Sequence, residues 1–306
     1  MELEKLKNSF PEVSWQDGAV ELTKGVIFKK KINVPISEFD AISIEDSYRS
    51  GGADGDYTER GYELWLHHPD KEKSVRVLGY HQGEIQVGTN DSLIYVRSKA
   101  EELAVLLNLP IQSRSEFSLV GITNAYEVNT PYHKKINTAL LAGYQLKNRF
   151  HPKIKVRQMS DHVKLSRDTR TAATLWGAAF WVVAIVLYII LGWDYIMLSG
   201  VLAWMGLIVA VLSGFVEQLE IYEDKFVYSS KGRLGFVKSD KEIPKSRLEM
   251  IAVMENPGLN GQRALTMISD DEVIYFATGF KSDVLKDLLV FTSWAVLDWE
   301  RVMNKV

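Results

Sequence analysis

Two apolar runs separated by a single charged residue constrain this 306-residue chain more than any other feature in it. Residues 171–193 read TAATLWGAAFWVVAIVLYIILGW and residues 195–216 read YIMLSGVLAWMGLIVAVLSGFV, with Asp194 between them. At roughly 1.5 Å rise per residue, each run is long enough for a hydrocarbon core of about 30 Å. The expectation is therefore a transmembrane helical hairpin, with a pair of buried helices in a large soluble core as the alternative. So short a link puts both flanks on one side.

The flanking charges say which side. Lys147, Arg149, Lys153, Lys155, Arg157, Lys164, Arg167 and Arg170 stand before the first run against only Asp161 and Asp168. By the positive-inside rule both termini are expected in the cytoplasm, which implies a two-span protein of the inner (plasma) membrane. With a formal charge of −3 for the whole chain and +6 on this segment, the remainder stands at −9. No chain-wide basic field for nucleic acid exists, so no nucleic-acid partner is expected. Lys153, Lys155, Arg157, Lys164, Arg167 and Arg170 read instead as contacts to anionic lipid headgroups. The first ten residues are polar and charged, unlike a signal peptide, and the absence of cysteine excludes disulfides and thiolate chemistry.

Outside the apolar runs the chain repeats itself. VPISEFDAISI (residues 34–44) returns as IPKSRLEMIAV (residues 243–253). Each is preceded by an alternating hairpin pattern, VSWQDGAVELT in the first copy and LEIYEDKFVYS in the second. Each is followed by a polar loop and a second alternating pair, YELWLHHPDKEKSVRVLGY and ALTMISDDEVIYFATGF, and then by an amphipathic helix, expected over 92–109 and 282–302. Two runs of antiparallel strands, each closed by one helix, make the class α+β. The proline of each quoted stretch lacks an N–H, so it is expected at the first residue of its strand. The first copy carries its own closing helix, and residues 1–110 are expected to fold alone.

This order resembles the bacterial pleckstrin-homology-like family. The strand entry that carries the likeness is Val34-Pro35-Ile36-Ser37 with Ile42, and Ile243-Pro244-Lys245-Ser246 with Ile251. The resemblance implies two barrel-like domains, each plugged by its C-terminal helix, and a two-helix membrane hairpin ahead of the second. The implied division is a first domain over 1–111, a linker over 112–150, a basic β-hairpin over 151–170, the membrane hairpin over 171–216 and a second domain over 217–306. Within the linker, YHKKINTALLAGYQLKNRF puts Ile136, Leu140, Gly143 and Tyr144 on one helical face, fit for a membrane surface or a neighbouring domain.

Chemistry is sparse by comparison. No phosphate-binding glycine loop, dinucleotide fingerprint, nucleophile-elbow serine or HExxH pair occurs, and neither apolar run holds an ionisable group for transport. His67 and His68 are adjacent, so a strand points them to opposite faces and they cannot share a metal with His81 unless the strand bulges. Asp54, Asp56 and Glu59 imitate part of a calcium loop but put Glu59 where glycine is required. Headgroup-binding cations are outnumbered by acids in the first copy, whereas Lys231, Arg233, Lys238 and Arg263 leave that question open in the second. No cofactor and no metal is expected. Trp294 and Trp299 fall off the core stripe of the last helix, Leu285, Leu288, Leu289, Thr292 and Val296, and so become candidate partner contacts. The expected function is a non-enzymatic scaffold or regulatory protein that binds a protein partner or its own copies. The alternative is a lipid-handling protein or enzyme with its site beside the basic hairpin.

Overall fold

The structure, a computed structural model, describes residues 3–24, 30–51, 57–81, 91–112, 117–120, 122–128, 130–142, 147, 149–191, 196–212, 215–232, 238–256 and 262–304. After α1 (Leu3–Ser9) come β1 (Ser14–Gln16), β2 (Ala19–Lys24) and β3 (Lys30–Pro35), a three-stranded antiparallel sheet. A 3-10 turn at Ile36–Glu38 leads into the meander β4 (Ala41–Gly51), β5 (Tyr57–His67) and β6 (Val75–His81), which α2 (Asp91–Leu107) follows. Short pieces come next: β7 (Ile111–Gln112), β8 (Phe117–Ser118), β9 (Ile122–Thr123), α3 (Tyr132–Lys135) and α4 (Thr138–Ala142). The hairpin β10 (Ile154–Gln158) and β11 (His162–Asp168) precedes α5 (Arg170–Leu191) and α6 (Ile196–Leu212). Strands β12 (Phe215–Tyr222), β13 (Lys225–Gly232) and β14 (Lys238–Pro244), a 3-10 turn at Lys245–Arg247, and strands β15 (Leu248–Asn256), β16 (Gln262–Ser269) and β17 (Val273–Phe276) then lead to α7 (Ser282–Leu297) and α8 (Trp299–Met303).

The repeat read from the sequence is present in this order of elements, and one hydrogen bond marks it in both copies. Ile36 N donates to Gly18 O at 2.9 Å, and Lys245 N donates to Asp224 O at 2.8 Å. In each copy the residue after the proline is tied back to the turn of the preceding hairpin. The prolines occupy the opposite end of a strand from the one expected. Pro35 and Pro244 are the last residues of β3 and β14, paired with Ala19 and Lys225 at the ladder's end. There a missing N–H costs no interior bond, and the fixed φ starts the 3-10 turn.

The chain divides into two compact units whose boundaries cut through the second copy of the repeat. The first comprises residues 1–145 and 246–293, the second residues 146–245 and 294–306. In the first unit β6-β5-β4-β7-β9 and β17-β16-β15-β8 form two further sheets, and one core joins both copies: Phe10, Ile42, Tyr62, Leu64, Leu93 and Leu103 share a cluster with Ile268 and Val273. The second unit holds α5, α6, α8 and the antiparallel sheet β10-β11-β12-β13-β14, whose alternate residues Val163, Leu165, Leu219, Ile221, Phe226 and Ile243 are wholly buried. Residues 132–142 form two short helices instead of one amphipathic helix. Ile136 turns extended, Asn137 Oδ1 accepts from Ala139 N at 3.0 Å, and Tyr132 is buried with its hydroxyl 3.1 Å from Ser293 Oγ.

Two expectations are overturned here. The sheets stay separate and no barrel closes among the described strands, so the barrel of the pleckstrin-homology-like family is not formed. What stands is a mixed α+β fold of antiparallel sheets, with β4 and β7 as its parallel pair. Among the described residues no helix is long and apolar enough to cross a membrane, which removes the transmembrane spans and the multi-pass inner-membrane location. The physical reason is the length of α6, whose 17 residues rise about 25 Å against about 30 Å of hydrocarbon. Asp194 lies outside the described residues. The two helices still pack on each other, because Gly206 has no side chain: a Cβ there would stand 2.8 Å from Gly177 O and 2.9 Å from Phe180 Cβ.

Candidate functional site

A cleft in the first unit gathers charge from segments far apart in the chain. Its floor and walls come from Ile44 on β4, Leu93 and Ala100 on α2, Ile111 on β7, Met250 and Met254 on β15, and Ile268 on β16. Its polar side comes from Arg97 and Glu101, one turn apart on α2, and from Glu249 on β15. Its cavity volume is about 50 Å³. The cleft is narrow.

A strand irregularity produces the charged side. In a regular strand Glu249 and Met250 would face opposite ways, but the β15–β16 register shifts between Leu248 and Met250: Leu248 pairs with Ser269 and Met250 with Ile268. Glu249 is the extra residue, and a bulge of this kind re-aims a side chain. It meets the Arg97 guanidinium in a short ion pair, while Arg97 also lies 3.2 Å from Glu101 and 3.8 Å from Met250 Sδ. Burial pushes the Glu249 carboxyl up to about 7 against the pull of Arg97, and a hydrogen bond with Asp270 and repulsion from Glu101 and Asp270 push the same way. Glu101 is raised chiefly by burial, with Arg97 and Lys135 opposing. Lys135, whose Nζ donates to Val128 O at 2.8 Å, is lowered by burial and then by Arg97, while Glu101, Glu249 and Glu127 oppose.

These shifts set a pH dependence. A carboxyl whose folded pKa of about 7 exceeds its reference of 4.5 stabilises the fold below the lower value, and that stabilisation is lost as pH rises through the upper one. Between about pH 5 and about pH 8 the urea midpoint of the natural chain is expected to fall further than that of Glu249→Gln. Parallel slopes for the two proteins would show that Glu249 does not titrate in this window.

The residues singled out in the sequence are placed as follows. His67 and His68 do face opposite ways. His67 Nε2 is 2.6 Å from Ser43 Oγ and 3.3 Å from Glu45 Oε1, whereas His68 Nε2 is 3.1 Å from Glu38 and its ring stands edge-on to Phe39. Serine, histidine and glutamate thus meet, but Ser43 and Glu45 share one imidazole nitrogen, whereas a nucleophilic triad needs the acid on the other. Ser43 is also fully buried. The side chain of His81 and the loop with Asp54 and Asp56 lie outside the described residues. Among the described residues no cluster of three or more metal-ligating side chains occurs.

Lys153, Lys155 and Arg157 are exposed beside and along β10. Two of the other basic residues are engaged across strands, Lys164 with Glu220 at 2.8 Å and Arg167 with Glu217 at 3.3 Å, and the side chain of Arg170 is not among those described. Arg149, His151, Lys155 and Arg157 also border a shallow, open cleft in the second unit. Trp294 and Trp299 are half-buried, and each meets a cation. The Arg301 guanidinium lies 3.8 Å over the Trp294 ring, and Lys245 Nζ lies 4.8 Å over Trp299.

Lys245 is the residue the sequence least announced. It is 8% exposed, its Nζ donates to Ala295 O in the last turn of α7, and it sits 5.5 Å over the Phe226 ring. A cation there neutralises the negative end of the helix. Burial brings its pKa down to about 8, with Glu223 and Asp224 opposing. The sequence marked neither Lys245 nor the Arg97–Glu249 pair. The one usable signal was Arg97 and Glu101, spaced i, i+4 within the apolar stripe of α2.

No family model, curated protein or solved structure matches this chain.

Proposed function

We propose that the chain is a non-enzymatic scaffold that assembles with copies of itself through the α5–α6 hairpin, and so presents its α+β units in multiple copies. One observation carries this reading: large apolar side chains lie bare on both helices, among them Trp181, Val182, Ile185 and Ile189 on α5, with Val201 and Trp204 on α6. Soluble monomers rarely leave contiguous apolar patches beyond a few hundred Å² uncovered, so such a surface calls for a partner. Beyond Arg170 at the start of α5, neither helix has a charged residue to select a polar partner, and an identical hairpin supplies the matching apolar face. The small-residue seam at Gly206 is already consumed by contact within the hairpin, which leaves the outward faces for assembly.

Sedimentation of the purified full chain without detergent tests this. The natural chain is expected to run as an oligomer, and the double variant Ile189→Glu, Trp204→Glu as a monomer with an unchanged unfolding midpoint, because those side chains are 73% and 67% exposed. A monomeric natural chain would overturn the reading. So would a chain that floats with phosphatidylcholine vesicles instead of self-associating.

A further inference from the structure

We infer that the cleft between α2 and β15 binds a slender aliphatic ligand carrying one cationic head, a primary alkylamine. The inference is independent of hairpin assembly and concerns only the first unit. Ile44, Leu93, Ile111, Met254 and Ile268 make the cleft apolar, and its cavity volume of about 50 Å³ suits a single unbranched chain rather than a ring system. Methionine on one wall favours such a ligand, because an unbranched thioether adapts to an irregular chain.

The head is argued from charge complementarity. Lining the polar side are the carboxyls of Glu101 and Glu249 and the guanidinium of Arg97; around them exposed Asp270 acts on Glu249, Lys135 acts on Glu101, and Glu127 acts on Lys135. Arg97 is shared between Glu101 and Glu249, and Lys135 is bonded to a backbone carbonyl. With both lining carboxyls ionised, the single guanidinium leaves the cleft one cation short. An ammonium placed beside Glu249 supplies it and favours the ionised carboxylate, whereas a carboxylate head would add a third acid to a poorly solvated site. The β-bulge is consistent with this role, since it costs β15 one regular pairing in order to aim Glu249 into the cleft.

Calorimetric titration of the full chain with hexylamine, hexanoate and hexanol separates the possibilities. Hexylamine is expected to bind at least about tenfold more tightly than either of the others, a difference that needs no variant to observe. Glu249→Gln is expected to remove that preference and leave hexylamine and hexanol equal. Met250→Trp, which fills the cleft, is expected to abolish binding of both. Hexanoate binding as tightly as hexylamine, no hexylamine binding, or hexylamine affinity unchanged in Met250→Trp would each overturn the assignment.

Discussion

Cut after Leu109, the chain is expected to lose cooperative unfolding altogether, although residues 1–109 contain one whole copy of the repeat. The core explains why. Ile268 and Val273, both wholly buried, belong to the same cluster as Phe10, Tyr62 and Leu64, and Met250, Met254 and Tyr275 pack against it. Removing them strips several large side chains from one core, each worth roughly 2–5 kcal/mol when truncated singly, against a total stability of roughly 5–15 kcal/mol. Polar losses add to this. Tyr62, 1% exposed, has its hydroxyl 3.4 Å from Glu255 O and 3.3 Å from the Tyr275 hydroxyl, and burial holds its pKa well above the usual tyrosine range. Without those partners the hydroxyl is left unsatisfied or the ring must leave the core. Thermal denaturation of the fragment followed by circular dichroism is expected to show a broad, sloping trace, and a dye for exposed apolar surface is expected to bind it. A sharp transition with no dye binding would mean that the first copy is self-sufficient.

Leu288→Ala is expected to destabilise the chain by roughly 2–5 kcal/mol. Leu288 is fully buried on α7 beside Leu285, Leu289 and Thr292, which follow the helical stripe read from the sequence. Thr292 binds back to Leu288 O at 2.9 Å, so its hydroxyl is satisfied within the helix. Trp294→Ala, measured alongside, is expected to cost less, because that ring is half-buried and loses one stacked guanidinium. Its indole N–H is buried without an acceptor among the described residues, so truncation also removes an unmet donor. Denaturant midpoints decide the matter. Equal losses from the two substitutions would make Trp294 as much a core residue as Leu288.

Local patterns reached far in this chain. Strand and hairpin positions followed from alternation and from turn pairs such as Asp17-Gly18, where Gly18 adopts φ 75°. Helices α2 and α7 followed from apolar spacing, although the single helix expected over 282–302 is broken at Asp298, which caps α8 by accepting from Arg301 N at 3.0 Å. The apolar runs became paired helices, as their composition demands. All these are properties of neighbours along the chain, and period 2 or 3.6 encodes them directly. Three other matters belonged to tertiary structure alone. Which strands share a core is set by pairings between distant segments, and so the second copy is divided between two units while the first lies whole in one. The fit of Lys245 beneath the end of α7 depends on a backbone carbonyl 50 residues away, and no local pattern distinguishes it from an exposed lysine. The cleft depends on a one-residue slip in β15 that turns Glu249 toward Arg97, 152 residues away. A bulge changes which face a residue occupies without changing the residue, so the sequence reads the same with or without it.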